Sequence, residues 1–212
     1  MKKHHILKIT IYISGILTIA FGINTLLTSK LGAGAWDTVA NNFSILVNIT
    51  LGTASAIVNV FVLLFVFSFR RKLKYLSILI PIFALAIAID FWNLIIFKDI
   101  LLTSFWIQLL FFLSGTVIIT LGLALMVIST YPAMVYEELT LLLMKLLSVK
   151  QFFNMRIMIE LFAIALAIVF GFLAGIGFGA VNLGSFILAI VIGPIISFHL
   201  HWLSKVFKFL TP

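Results

Sequence analysis

The sequence predicts an all-α polytopic membrane protein: six transmembrane helices arranged as two inverted three-helix repeats, with short broken or re-entrant helices between spans. Three observations carry this. The 212 residues are 64% apolar and only 9% charged, with a mean hydropathy of +1.31. A soluble domain carries roughly 25% charged residues, so no soluble surface can be built from this chain. Apolar runs of about 20 residues, the length that crosses a bilayer, recur six times, and basic residues alternate between the joining segments. The chain also matches itself at an offset of 100 residues.

The apolar runs cover 6–28, 52–69, 75–97, 105–130, 153–175 and 183–203. The first imitates a cleaved signal, with Lys2-Lys3 ahead of it and Ala33-Gly34-Ala35 as a mock cleavage site. Its apolar stretch exceeds the ~7–15 residues of a signal core, and a later stretch copies it, so it reads as retained. The whole chain, 1–212, is then one transmembrane domain, with repeat 1 over about 6–97 and repeat 2 over about 105–203.

With the N-terminus in the cytoplasm, the inside segments hold Lys2, Lys3, Lys8, Arg70, Arg71, Lys72, Lys74, Lys145, Lys150, Arg156, Lys205 and Lys208. Only Lys30 and Lys98 fall outside. This obeys the positive-inside rule at every turn. The net charge of +8 is therefore an orientation signal rather than a nucleic-acid footprint. It predicts a multi-pass cytoplasmic-membrane protein with both termini inside and the lipid bilayer as its partner. Arg70-Arg71-Lys72-Lys74 is read as a helix anchor, with contact to anionic headgroups as the alternative.

At the 100-residue offset, Ser14-Gly15 meets Ser114-Gly115, Ile19 meets Ile119, Gly22 meets Gly122 and Ser29 meets Ser129. Ala33 meets Ala133 and Leu46 meets Leu146, while Trp36 pairs with Tyr136 and Asp37 with Glu137. A one-residue shift sets Asn59 against Glu160, and a further shift sets Ile89-Asp90-Phe91 against Ile196-Ser197-Phe198. Three spans per repeat is an odd number, so the second copy is inverted, a recurring plan of secondary transporters.

Between the first and second spans of each repeat, 31–50 and 131–147 are neither clean spans nor polar loops. Glycines free the backbone in the first and Pro132 suits a helix's first turn in the second, so both read as a break followed by a short helix. Asp37 and Glu137 then fall in its first turn, where a carboxylate suits open amides and the dipole. Interrupted segments at matching places in two halves point to a transporter's binding site; interfacial connectors with ordinary acidic caps are the competing reading.

Ionisable groups at membrane depth default to function. Asp90, with Asn93 one turn on and Ala86 one turn back, makes a small polar stripe expected to face the bundle, with Trp92 turned toward the outer interface; a structural hydrogen bond from Asp90 to a neighbouring helix is the competing reading. Glu160 has Arg156 four residues earlier, so a plain ion pair competes with a functional role. The candidate substrate or coupling-ion residues are Asp90, Asn93, Glu160, Asn59, Asp37, Glu137, Trp36 and Tyr136. The chain has no cysteine and no His/carboxylate cluster at ligand spacing. His199 and His201 point to nearly opposite helix faces. Gly171, Gly175, Gly177, Gly179 and Gly184 read as close packing or a hinge, since no strand precedes them. No metal, no cofactor and no enzymatic activity are expected.

Leu31 to Asp37 resembles the glycine-tryptophan-aspartate signature after the first span of the YczE/YyaS/YitT membrane proteins. Leu51-Gly52-Thr53 resembles their entry to the second span. Gly175-Ile176-Gly177-Phe178-Gly179 and Ile192-Gly193-Pro194-Ile195-Ile196 resemble their last loop and final helix. The resemblance implies a bacterial six-helix integral membrane protein without a generally established activity. Ala35 stands where proline is common and Ser197 where an acid often follows Gly-Pro. The sequence shows no soluble C-terminal domain of the YitT kind, which favours the shorter YczE/YyaS-like branch. The expectation is a secondary-type transporter of an unidentified small solute; the alternative is a non-transporting accessory protein that holds a membrane partner.

Overall fold

A computed structural model describes residues 2–207 except Ala133, with side chains from His5 onward. Ala133 and Lys208, and the side chains of Lys2 and Lys3, fall outside the described residues. The chain runs α1 (Lys2–Ser29), α2 (Ala35–Val47), α3 (Leu51–Arg70), a 3-10 turn (Leu73–Ile78), α4 (Leu79–Ile95), α5 (Phe105–Ile128), α6 (Val135–Leu146), α7 (Phe152–Leu173) and α8 (Leu183–Val206). No strand occurs among the described residues. Six helices are long and apolar enough to cross a membrane, so the all-α, six-span expectation holds. α2 and α6 are the short extra helices expected between spans.

The breaks before the short helices share one chemistry. Ser29 Oγ donates to the Leu26 carbonyl and accepts from the Leu31 amide, at 2.6 and 3.2 Å. Ser129 does the same with Met126 and Tyr131, at 2.6 and 3.3 Å. A serine that engages these backbone groups draws the chain out of helix, and the next residue is left-handed in both cases, Lys30 at φ 60° and Thr130 at φ 67°. One expectation is corrected here. Pro132 lies in the approach to α6, three residues before its start, and not in its first turn. Its carbonyl, which no helix uses, accepts from the Tyr12 hydroxyl at 2.7 Å.

α1 and α5 form the central seam. A Cβ at Gly22 would lie 2.7 Å from the Ile119 amide, and one at Gly122 would lie 2.7 Å from that of Ile19. Gly115 stands against Leu26 and Gly15 against Met126 in the same manner. Without side chains at these four positions the backbones approach closely, as small residues permit between spans. α4 packs against both α1 and α3, and α8 packs against α5 but touches α7 far less. α2 lies along α7 and against α3, while α6 contacts both α3 and α7.

Asn42 fastens α2 in place. Its amide donates to the Ala167 carbonyl (2.8 Å) and the Phe178 carbonyl (3.1 Å), and its oxygen accepts from Ala180 N–H (2.9 Å). α2 is thus lodged between spans, with Trp36, Thr38, Val39, Ala40 and Asn42 all buried.

Candidate functional site

The first turns of α2 and α6 meet inside the bundle. Trp36 stacks on Tyr136 with ring centroids 4.7 Å apart and planes 18° apart. The acids that follow them, Asp37 and Glu137, suit the positive ends of the two helices. Neither caps its helix as expected among the described hydrogen bonds. Gly34, lacking a side chain, lets the Asp37 carboxylate fold back over it: a Cβ there would stand 2.5 Å from Oδ2. Glu137 instead turns to α7, where its Oε1 accepts from Arg156 Nη1 at 3.3 Å.

Arg156 also donates through Nε to Glu160 Oε1 at 2.8 Å. The i,i+4 ion pair anticipated from sequence is therefore present, and Glu137 makes it a triad. Glu160 is buried at 8% exposure and lies within electrostatic reach of Asp37. The Tyr136 hydroxyl feels all four charges, Asp37, Glu160, Arg156 and Glu137. Among the described residues, only Glu137 and Glu160 touch the guanidinium. With Asp37 beside Glu160, three carboxylates share the cluster with one cation, so with every group ionised it is two positive charges short.

The triad opens onto a cleft of about 480 Å³ between α7 and α8, lined by Glu137, Arg156, Glu160, Gly193 and Ser197 among others. Three of the candidate residues keep a buried polar atom without a protein hydrogen-bond partner: Trp36 Nε1, Asn59 Oδ1 and Glu137 Oε2.

The matching positions of the first repeat are built differently. Asn59 Nδ2 donates to the carbonyl and hydroxyl oxygens of Ser55, at 2.8 and 3.3 Å. A neutral Ser55–Asn59 pair thus stands where α7 has Arg156–Glu160. Asp90 is half-buried and fully engaged: Oδ1 accepts from Gly52 N–H and Oδ2 from the Thr50 hydroxyl, both at 2.6 Å. It ties α4 to the start of α3. Asn93 goes elsewhere, donating to Asn24 Oδ1 at 2.8 Å, and Asn24 donates in turn to the Ile89 carbonyl at 3.1 Å. The stripe of Ala86, Asp90 and Asn93 therefore serves two separate junctions. Trp92 packs on α1, with Nε1 donating to the Leu17 carbonyl at 3.2 Å and its ring edge-on to Phe21.

The structure brings Trp36, Asp37, Tyr136, Glu137 and Glu160 together and leaves Asp90 and Asn93 at other junctions. Sequence reasoning passed over Thr50, Ser55, Asn24 and Asn42. The signal for the asparagines was present: a polar side chain inside an apolar helix needs a partner there.

These features define a class, a six-span helical membrane protein with a charged triad where two short helices meet inside the bundle. The chain belongs to a family of unknown function, DUF6198, whose model matches residues 6–201. It is 30% identical to the uncharacterized protein YyaS of Bacillus subtilis (strain 168) over 200 residues, 94% of this chain and 98% of that one. It is 27% identical to the uncharacterized membrane protein YczE of the same organism over 128 residues, 60% of this chain and 58% of that one. No solved structure matches the chain. The resemblance to the YczE/YyaS proteins read from the motifs is borne out.

Proposed function

We propose that the protein is a secondary-type transporter whose two inverted halves carry a small solute past Asp37, Glu137, Arg156 and Glu160. The observation that carries this reading is the charged triad beside the junction of α2 and α6, with Glu160 buried and Arg156 and Glu137 part-exposed along one cleft. Charges inside a membrane are costly and default to function. An unpaired buried polar atom costs about 1–3 kcal/mol; Glu137 Oε2 is one such atom on a residue that lines the cleft, and a guest that bonds to it would offset that cost. With two positive charges lacking, the guest is a proton-coupled or cationic solute. Inversion of the halves is supported by the α1–α5 seam, where Gly22 meets Ile119 and Gly122 meets Ile19. Such reciprocity is the mark of a two-fold interface. The charge pattern puts the start of α7 on the cytoplasmic side of a bacterial membrane.

The test compares cells lacking the protein with cells overproducing it, for uptake or export of a panel of radiolabelled metabolites. At least one should change in opposite directions in the two strains, and Glu160→Gln, inserted normally, should abolish the change. No metabolite altered in either strain would sink the reading. One observation favours the accessory role instead: an apolar cleft of about 620 Å³ among α2, α3, α6 and α7, lined by Phe43, Phe61, Phe65, Phe162 and Phe170. It is wide enough to seat an apolar segment of a partner. On that reading Glu160→Gln has no phenotype, whereas filling the cleft does.

A further inference from the structure

The two ends of the bundle are in different states. Because the spans alternate in direction, α3 starts at one end and α7 at the other. At the α3 end, α3 and α4 are drawn together. A Cβ on Gly52 would collide with the Ala86 carbonyl oxygen, 2.1 Å away. Both oxygens of Asp90 hold the start of α3 through Gly52 and Thr50. The matching positions at the α7 end are Phe153, Gly193 and Ser197, and all three line the open cleft. Gly193 has nothing within 4 Å of where its Cβ would stand. Ser197 reaches only the Gly193 carbonyl on its own helix, at 3.1 Å. Phe153 is exposed beside this bare strip of α8. Pro194, inside α8, withholds an amide from the helix ladder, which lets α8 bend there.

We propose that these are the two gates of one alternating device, an inference that rests on the transport reading above. Asp90 latches the α3 end shut while the α7 end stands open; in the other state the latch parts and Phe153 settles over Gly193. Asp90 is then a gating residue and not a solute ligand, because both its oxygens are committed to the N-terminus of α3. The helix dipole and the charge on the acceptor strengthen that tie. The opposite gate closes by different chemistry, a ring seated over a glycine.

The chain has no cysteine, so single introduced thiols report access without background. Two positions are labelled with a membrane-impermeant maleimide added to either face of sealed vesicles. Ser197→Cys lies in the cleft. Ala56→Cys replaces the buried residue that matches cleft-lining Ile157. With Asp90 in place, Ser197→Cys reacts from one face and Ala56→Cys from neither. Asp90→Ala should raise labelling at Ala56→Cys from the opposite face by about tenfold or more, the shift expected when a charge-assisted bond is lost from one of two states. Labelling at Ser197→Cys should slow in the same protein. Thr50→Val removes one latch bond only, should move both rates the same way by less, and reads the gate if Asp90→Ala does not insert. Unchanged rates in the inserted variants, or both sites becoming faster together, overturn the proposal. Labelling needs no solute, so the two failures separate. Rates that exchange in a protein that moves nothing refute transport and leave the gates standing. Flux that persists in Asp90→Ala with unchanged rates does the reverse.

Discussion

At the start of α3, a glycine, a carboxylate and a threonine pull two helices into backbone contact. At the start of α7, a phenylalanine, a second glycine and a serine leave two helices apart around a cleft. One to two turns further in, the contrast reverses in charge: α3 carries the neutral Ser55–Asn59 pair, and α7 carries Arg156 bridging Glu160 and Glu137. Matching positions in the two halves have thus been given different work. One end is held by hydrogen bonds to a helix terminus; the other leaves a cleft lined in part by Glu137, Arg156 and Glu160. The lesson is that the polar content of a span says little until its partner is known. Asp90 and Glu160 are both carboxylates in apolar helices, yet one ties backbone and the other holds a cation.

The largest way to break this comparison is to remove its charge. Arg156→Ala leaves Glu160 buried and unpaired, and removing one member of a buried ion pair costs about 3–5 kcal/mol. Ser55→Ala, the matching change in α3, removes one neutral hydrogen bond and should cost about 0.5–1.5 kcal/mol. Thermal unfolding of the purified proteins in detergent separates the two; equal shifts would mean the triad is not a buried unit. A middle-sized effect comes from the glycines. Gly52→Ala forces a methyl against the Ala86 carbonyl, and overpacking of this kind costs about 1–3 kcal/mol. Gly193→Ala enters open space, and by removing glycine from a helix interior should gain about 0.5–1 kcal/mol. Opposite signs in the same unfolding assay are the expected result. If both destabilise equally, the α7 end is not open. The smallest effect belongs to Glu137→Gln. Its side chain is 45% exposed, and a pair so placed contributes about 0–1 kcal/mol, so its unfolding midpoint should barely move.

The six spans were legible because length and hydropathy decide them, and the shared Ser29 and Ser129 breaks sit where the self-comparison placed them. The Arg156–Glu160 pair was legible because helical spacing alone brings i and i+4 together. Glu137 could not be assigned to it, since that contact depends on how α6 lies against α7. The helix and groups that Asp90 bonds to could not be named, because its partners are a backbone amide and a hydroxyl some 40 positions earlier in the chain. No periodicity reports such a bond. Trp36 and Tyr136 were matched as equivalents, yet nothing in their residue types states that the two rings touch. Asn42 was missed because its partners on other elements are backbone groups, which carry no letter in a sequence.

The glycine seam sets what kind of motion the molecule permits. Ile19 sits in the notch of Gly122 and Ile119 in that of Gly22, so sliding α1 along α5 would lift both isoleucines onto backbone at once. One helical turn is about 5.4 Å, and no shallower step restores the fit. Translation along the seam is therefore blocked, while a small rocking about it keeps both notches filled. On the gating proposal the seam would act as a fulcrum, with the helices strapped to its two sides as the arms of a lever. With α4 strapped to α1 and α8 to α5, spreading one pair of arms brings the other pair together, without any signal having to pass through the space between them.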